Sequence, residues 1–109
     1  MNTLGWVRVA LAGIALTAVT ASPVPAARSA SVEITEFNFA PQVLTVERGT
    51  TVTWINHDEE SHTITSTKGA FGSTGLSNDE SFSQTFTEAG RYEYFCALHP
   101  HMKAVVIVK

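Results

Sequence analysis

Cys96, His99 and Met102 stand at a Cys-x-x-His-x-x-Met spacing within Tyr94-Phe95-Cys96-Ala97-Leu98-His99-Pro100-His101-Met102. A loop of this kind, set between two strands, can fold its three donor side chains onto one point. Thiolate, imidazole and thioether are a soft, mixed donor set. Softness selects copper, and two imidazoles with one thiolate and a weak axial methionine make a type 1 copper site. Zinc prefers more thiolates, or a third histidine and a water, and rarely recruits methionine. Covalent haem attachment needs two cysteines before a histidine, and Cys96 is the only cysteine in the chain.

The loop supplies one clear imidazole for the trigonal plane, so a second must come from elsewhere. His62 follows the Trp54 segment and a charged turn (Asp58, Glu59, Glu60) and opens a β-branched run, His62 to Thr67. An apolar strand entering at Thr63-Ile64 would fix that imidazole at one end of a sandwich. His57 is the rival, but it sits among acidic residues and reads as a solvated surface histidine. His101 is an extra imidazole beside the loop ligand. It reads as a surface residue, with a docking contact or a second, weaker metal site as the alternative. The expected metal ligands are therefore His62, Cys96, His99 and Met102.

The elements that must position these residues are strands. Ser31 to Phe39 alternates, with Val32 and Ile34 on one face. Gln42 to Glu47 is short and β-branched, and Arg48-Gly49 signals a turn. Thr50 to Asn56 alternates again, with Val52 and Trp54 together. Ser81 to Phe86 sets Phe82 and Phe86 on one side, and Glu88-Ala89-Gly90 is a turn. Arg91 to Cys96 sets Tyr92, Tyr94 and Cys96 on one face. Ala104 to Val108 is a continuous apolar run, as in a buried final strand. Short strands separated by regular turn signals predict an all-β sandwich or barrel. Lys68 to Asp79 reads as a glycine- and serine-rich loop with room for one helical turn.

The chain has 109 residues, enough for one domain. Its start has the order of a secretory signal peptide: Arg8, an apolar run of eleven residues from Val9 to Val19, then small residues and prolines through Ala30. A membrane span needs about 20 apolar residues, so the run is too short for one. Val24-Pro25-Ala26 suggests a signal peptide over residues 1–26, with cleavage anywhere between 21 and 30, and a domain over 27–109. Removing Arg8 with this leader leaves six Lys/Arg against ten Asp/Glu, a net charge of −4. A mildly acidic surface argues against nucleic acid or anionic lipid as partner. An unpaired cysteine in an oxidising compartment invites oxidation or crosslinking unless something occupies it.

These motifs resemble the cupredoxins, the type 1 blue-copper family, and most closely the amicyanin and plastocyanin branch. The likeness covers roughly Val32 to Val108. Asn38-Phe39-x-Pro41 followed by Val46-x-x-Gly49-x-x-Val52-x-Trp54-x-Asn56 resembles the family's N-terminal strands. His62 lies eight residues after Trp54, where the family places its first ligand. Gly90-x-Tyr92-x-Tyr94-x-Cys96-x-x-His99-Pro100-x-Met102 is similar to its ligand loop, with the short amicyanin-type gap between His99 and Met102. The resemblance implies a cupredoxin-like Greek-key β-sandwich of about eight strands with copper at one end. Relatives often carry Asn after the first histidine and Ser or Thr after the cysteine, tying the two loops together. Here those positions are Thr63 and Ala97, so the surroundings that orient the ligands must differ.

The expected protein is small, exported and periplasmic, and it carries single electrons through one Cu(I)/Cu(II) ion. It would be a monomer with no stable membrane association after cleavage. Transient redox partners would dock near His99, Leu98 and Pro100; Pro41 and Phe71 are further candidates for the apolar patch, with Phe71 reading equally as a core residue. The amicyanin likeness suggests an amine dehydrogenase as electron donor. Copper enzymes of the same fold join the blue copper to a second site through histidines flanking the cysteine. Here the flanks are Phe95 and Ala97, which argues against an enzyme. A binding protein for copper delivery or resistance is the alternative, because its ligands could be identical.

Overall fold

The computed structural model describes residues 28–109, with residues 5, 10 and 12–15 of the N-terminal stretch. The expected cleavage after Ala26 lies outside the described residues. The described chain forms eight strands: β1 (Ser29–Thr35), β2 (Asn38–Ala40), β3 (Val43–Val46), β4 (Thr50–Asn56), β5 (Thr65–Ser66), β6 (Ser81–Phe86), β7 (Gly90–Phe95) and β8 (Lys103–Val108). They make two four-stranded sheets, in the orders β2-β1-β4-β6 and β3-β8-β7-β5. β1 with β4 and β3 with β8 are parallel pairs; the other pairs are antiparallel. This is the expected all-β sandwich of two sheets.

Alternation explains the sheets. In β4 every second residue is buried, so Thr50, Val52, Trp54 and Asn56 point inward. β1 turns Val32 and Ile34 to the same side, and β8 contributes Ala104, Val106 and Val108 from the opposite sheet. Trp54 is fully buried at the centre, T-shaped against Tyr94 with ring centroids 5.4 Å apart and stacked on Phe71 at 6.0 Å. Each fully buried large apolar side chain stabilises by about 1.5–3 kcal/mol; truncating Trp54 to alanine would cost ~3–5 kcal/mol. Gly49, at φ 87°, takes the turn into β4, and its N–H donates to Phe86 O.

Two expectations change. The Ser31–Phe39 run is two strands, folded into a hairpin whose two-residue loop is Glu36-Phe37. Both loop residues are left-handed, at φ 49° and 60°. That matches the primed turns that fit strand twist, at a cost of about 1–2 kcal/mol per non-glycine residue. The His62–Thr67 run pairs as a strand only at Thr65–Ser66, because His62 forms an isolated bridge with Leu76 instead. Phe71, open in the sequence between core and patch, packs partly buried on the core against Trp54 and Phe86. The 68–79 loop holds no helical turn; it is bridged to 62–65 at Leu76 and Gly72.

Candidate metal centre

Cys96 follows the last residue of β7, and Met102 precedes the first residue of β8, so the pairing of these strands holds both ends of the loop. The loop closes on itself through three backbone bonds. Cys96 N–H donates to Met102 O at 3.1 Å, His99 N–H to Cys96 O at 3.2 Å, and Met102 N–H to His99 O at 2.9 Å. Two successive tight turns therefore bring Cys96, His99 and Met102 to one end of the sandwich. Cys96 and Met102 are buried and His99 is half-buried.

His62 reaches the same point from the other side. Its N–H donates to Leu76 O at 3.1 Å and Leu76 N–H returns to His62 O at 2.7 Å, which fixes the backbone. The ring is fully buried. Its Nδ1 lies 3.7 Å from Cys96 Sγ, and His99 Nδ1 lies 3.7 Å from the same sulfur. The three ligand atoms fall within 4.8 Å of one another. A trigonal ion with metal–sulfur and metal–nitrogen distances of ~2.3 and ~2.0 Å separates sulfur from nitrogen by ~3.7 Å. The donors therefore fit one ion, and their softness fits copper.

The surroundings hold the donors in this arrangement. Thr63 N–H donates to Cys96 Sγ at 3.3 Å. Thr63 Oγ1 accepts the Ala97 N–H at 2.7 Å. Asp58 Oδ2 lies 2.8 Å from His62 Nε2. Burial alone would raise the Asp58 carboxyl, but bonds from Phe37 N–H, His62 and Glu36 N–H outweigh it and hold the group below the usual carboxylate range. Asn56, also fully buried, accepts the Asp58 N–H at 2.9 Å and donates to Glu60 O and Leu76 O, both at 2.8 Å.

The structure thus brings together three expected ligands and closes their loop with the fourth, Met102. His57 stands apart, half-exposed between Glu33 at 3.8 Å and Asp79 at 3.9 Å. His101 is exposed, its ring centroid 6.4 Å from that of His99. Leu98 and Pro100 are exposed beside His99. Sequence reasoning missed Asp58, Asn56 and Phe37. Phe37 lies edge-on to both His62 and His99, with centroids 5.0 Å from each.

Comparison with known proteins gives the same picture. The profile of the cupredoxin-like domain family matches residues 8–108. Amicyanin of Paracoccus denitrificans is 36% identical over 83 residues, covering 72% of this chain and 63% of that relative. Amicyanin of Paracoccus versutus is 35% identical over 96 residues, covering 84% and 72%. Among solved structures, the oxidised state of an amicyanin mutant superposes with TM-score 0.71 at 32% identity, covering 74% of this chain and 82% of that one. A purple cupredoxin from Nitrosopumilus maritimus superposes with TM-score 0.69 at 32% identity, covering 73% and 99%.

Proposed function

We propose that this chain, which belongs to the cupredoxin-like family, holds one type 1 copper ion at His62, Cys96, His99 and Met102 and carries single electrons between redox partners. The observation that carries this reading is the triangle of one cysteine sulfur and two imidazole Nδ1 atoms, each nitrogen 3.7 Å from the sulfur. Copper, when bound, supplies the one-electron couple. The protein supplies everything else. Cys96, His62 and His99 would hold the ion, and Met102 would add a thioether donor. Asp58 keeps the proton of His62 on Nε2, so Nδ1 presents its lone pair. Thr63 N–H holds the Cys96 sulfur in place. Packing around Cys96 and Met102 keeps water out, which limits rearrangement when the charge changes.

His99, half-buried in the turn, is the edge that a partner meets, framed by exposed Leu98 and Pro100. The partners dock there transiently, and the protein works as a monomer. It turns over no substrate of its own. Export to the periplasm is supported by the charged and apolar start of the chain. Cleavage after Ala26 would leave β1 whole, whereas cleavage after Ala30 would remove Ser29 and Ala30, which pair with Thr51 and Val52. Delivery or sequestration of copper is the second reading, favoured by exposed His101 near His99.

The first test is the visible and EPR spectrum after one equivalent of Cu(II), beside Cys96→Ala. An intense thiolate-to-copper band, lost in the variant, is expected. A pale Cu(II) spectrum unchanged by the substitution would overturn the reading. A reversible one-electron wave favours the carrier; rapid loss of copper to an acceptor protein favours delivery.

A further inference from the structure

One carboxylate in this protein holds two things at once. Asp58 Oδ2 accepts from His62 Nε2 at 2.8 Å and from Phe37 N–H at 2.9 Å, while Oδ1 accepts from Glu36 N–H at 2.7 Å. An ionised carboxylate only accepts, so the His62 proton sits on Nε2. That leaves Nδ1, the nitrogen facing Cys96 Sγ, free to bind. Asn56 fixes the loop that carries Asp58, by accepting its N–H and donating to Glu60 O and Leu76 O.

The other half of the arrangement is the β1–β2 hairpin. Glu36 and Phe37 are both left-handed and neither is glycine. Residues in that region persist only where their surroundings over-determine them. Here both of their amides end on the Asp58 carboxylate, 21 and 22 residues along the chain. The product of the strained turn is the position of the Phe37 ring. It stands edge-on to His62 at an interplanar angle of 85° and to His99 at 87°, and it remains 38% exposed. An aromatic ring kept partly in water at this cost in backbone conformation has a local purpose.

We infer that Asp58 is a positioning residue that fixes the His62 ring with Nδ1 toward Cys96 and, through the same carboxylate, clamps Phe37 as a cover across both imidazoles. The cover excludes water from the outer side of the two rings and resists their rotation. Both effects favour a ligand set that stays put when the oxidation state changes. The consequence for copper rests on the proposed function; the clamp itself does not.

The experiment compares Asp58→Asn, Asp58→Ala, Phe37→Ala and the Asp58→Ala/Phe37→Ala pair. In the metal-free protein, ring ¹⁵N shifts report the His62 tautomer, and NOEs report the Phe37 contacts with His62 and His99. Asp58→Ala should mix the tautomers and lose both NOEs. In the copper form, Cu(II) affinity should fall about 10–100-fold for Asp58→Ala. Phe37→Ala should lose less, and the pair no more than Asp58→Ala alone, because the cover has already been released. Asp58→Asn keeps one acceptor oxygen and should recover most of the loss; it also decides the matter if Asp58→Ala does not fold. An unchanged tautomer with intact NOEs, or losses that simply add, would overturn the clamp. If the wild type bound no copper, the functional reading would fall, and the metal-free measurements would still decide the clamp.

Discussion

Thr63 Oγ1 lies 2.7 Å from the amide nitrogen of Ala97, so the loop of one candidate ligand is tied directly to the loop of another. The residue after the cysteine lacks a hydroxyl, but the tie survives because the hydroxyl comes from the histidine side. The same residue sends its own N–H to Cys96 Sγ. Thr63→Val keeps the shape and that N–H but leaves the Ala97 amide without its acceptor in a part-buried place. Losing a part-buried hydrogen bond of this kind costs about 0.5–1.5 kcal/mol. Urea denaturation of the metal-free protein should show that loss, and Thr63→Ser should restore most of it. Equal stability of the valine variant and the wild type would mean the tie contributes nothing.

Alkaline stability should report on the core beneath the site. Tyr94 is 1% exposed, and burial pushes its hydroxyl up to about 12. The nearby Trp54 indole offsets part of this without reaching hydrogen-bond geometry, since neither Trp54 Nε1 nor Tyr94 Oη has a partner. In the unfolded chain the hydroxyl ionises near ~10. The folded form keeps its proton longer, so stability is full below pH ~10 and falls by about 3 kcal/mol as pH climbs through about 12. Tyr94→Phe should remove that decline. At pH 7 it should be neutral or slightly stabilising, because an unpartnered hydroxyl is deleted. A decline as steep in Tyr94→Phe as in the wild type would place its origin elsewhere.

The strands were legible in the sequence where alternation or apolar runs mark them. Thr50 to Asn56, Ser81 to Phe86 and Ala104 to Val108 fold as read, the last with Lys103 added at its start. Cys96, His99 and Met102 were legible because local spacing on one loop decides their meeting. The Glu36-Phe37 turn was not. Type I′ turns announce themselves by Asn or Gly, and here the conformation is imposed by a carboxylate more than twenty residues away. Asp58 was hidden for the complementary reason, since within Asp58-Glu59-Glu60 it reads as one more solvated charge. Only the fold places it against His62 Nε2. Phe71 stayed open between core and patch because it sits in a glycine- and serine-rich loop; only the fold shows that loop bridging back to Thr65 and packing its one large ring on Trp54.

Met102→Leu separates packing from ligation. The two side chains are close in volume, and such swaps usually cost under ~1.5 kcal/mol. Stability of the metal-free protein should therefore change little, although Met102 is 3% exposed in the core. Losing a thioether donor weakens Cu(II) binding more than Cu(I) binding. The reduction potential should then rise, by about 59 mV for each tenfold loss of Cu(II) relative to Cu(I) affinity. Cyclic voltammetry checks this. An unchanged potential with an unchanged visible spectrum would remove Met102 from the ligand set.

The contact surface can be tested without knowing a partner, because the protein can exchange electrons with itself. Leu98 is 56% exposed beside half-buried His99. If this face makes the encounter, two copies meet with their Leu98 side chains close together. Leu98→Lys would then set two cations against each other in place of two apolar groups. The self-exchange rate, read from NMR line broadening of mixed Cu(I) and Cu(II) samples, should fall on the order of tenfold, equivalent to ~1.4 kcal/mol in the barrier. Raising the salt concentration should recover part of the loss, since exposed charges are screened within about 10 Å at 0.1 M. The visible spectrum should not change, because Leu98 is not among the candidate ligands. A self-exchange rate indifferent to the substitution would move the electron's exit away from His99, to some other part of the surface.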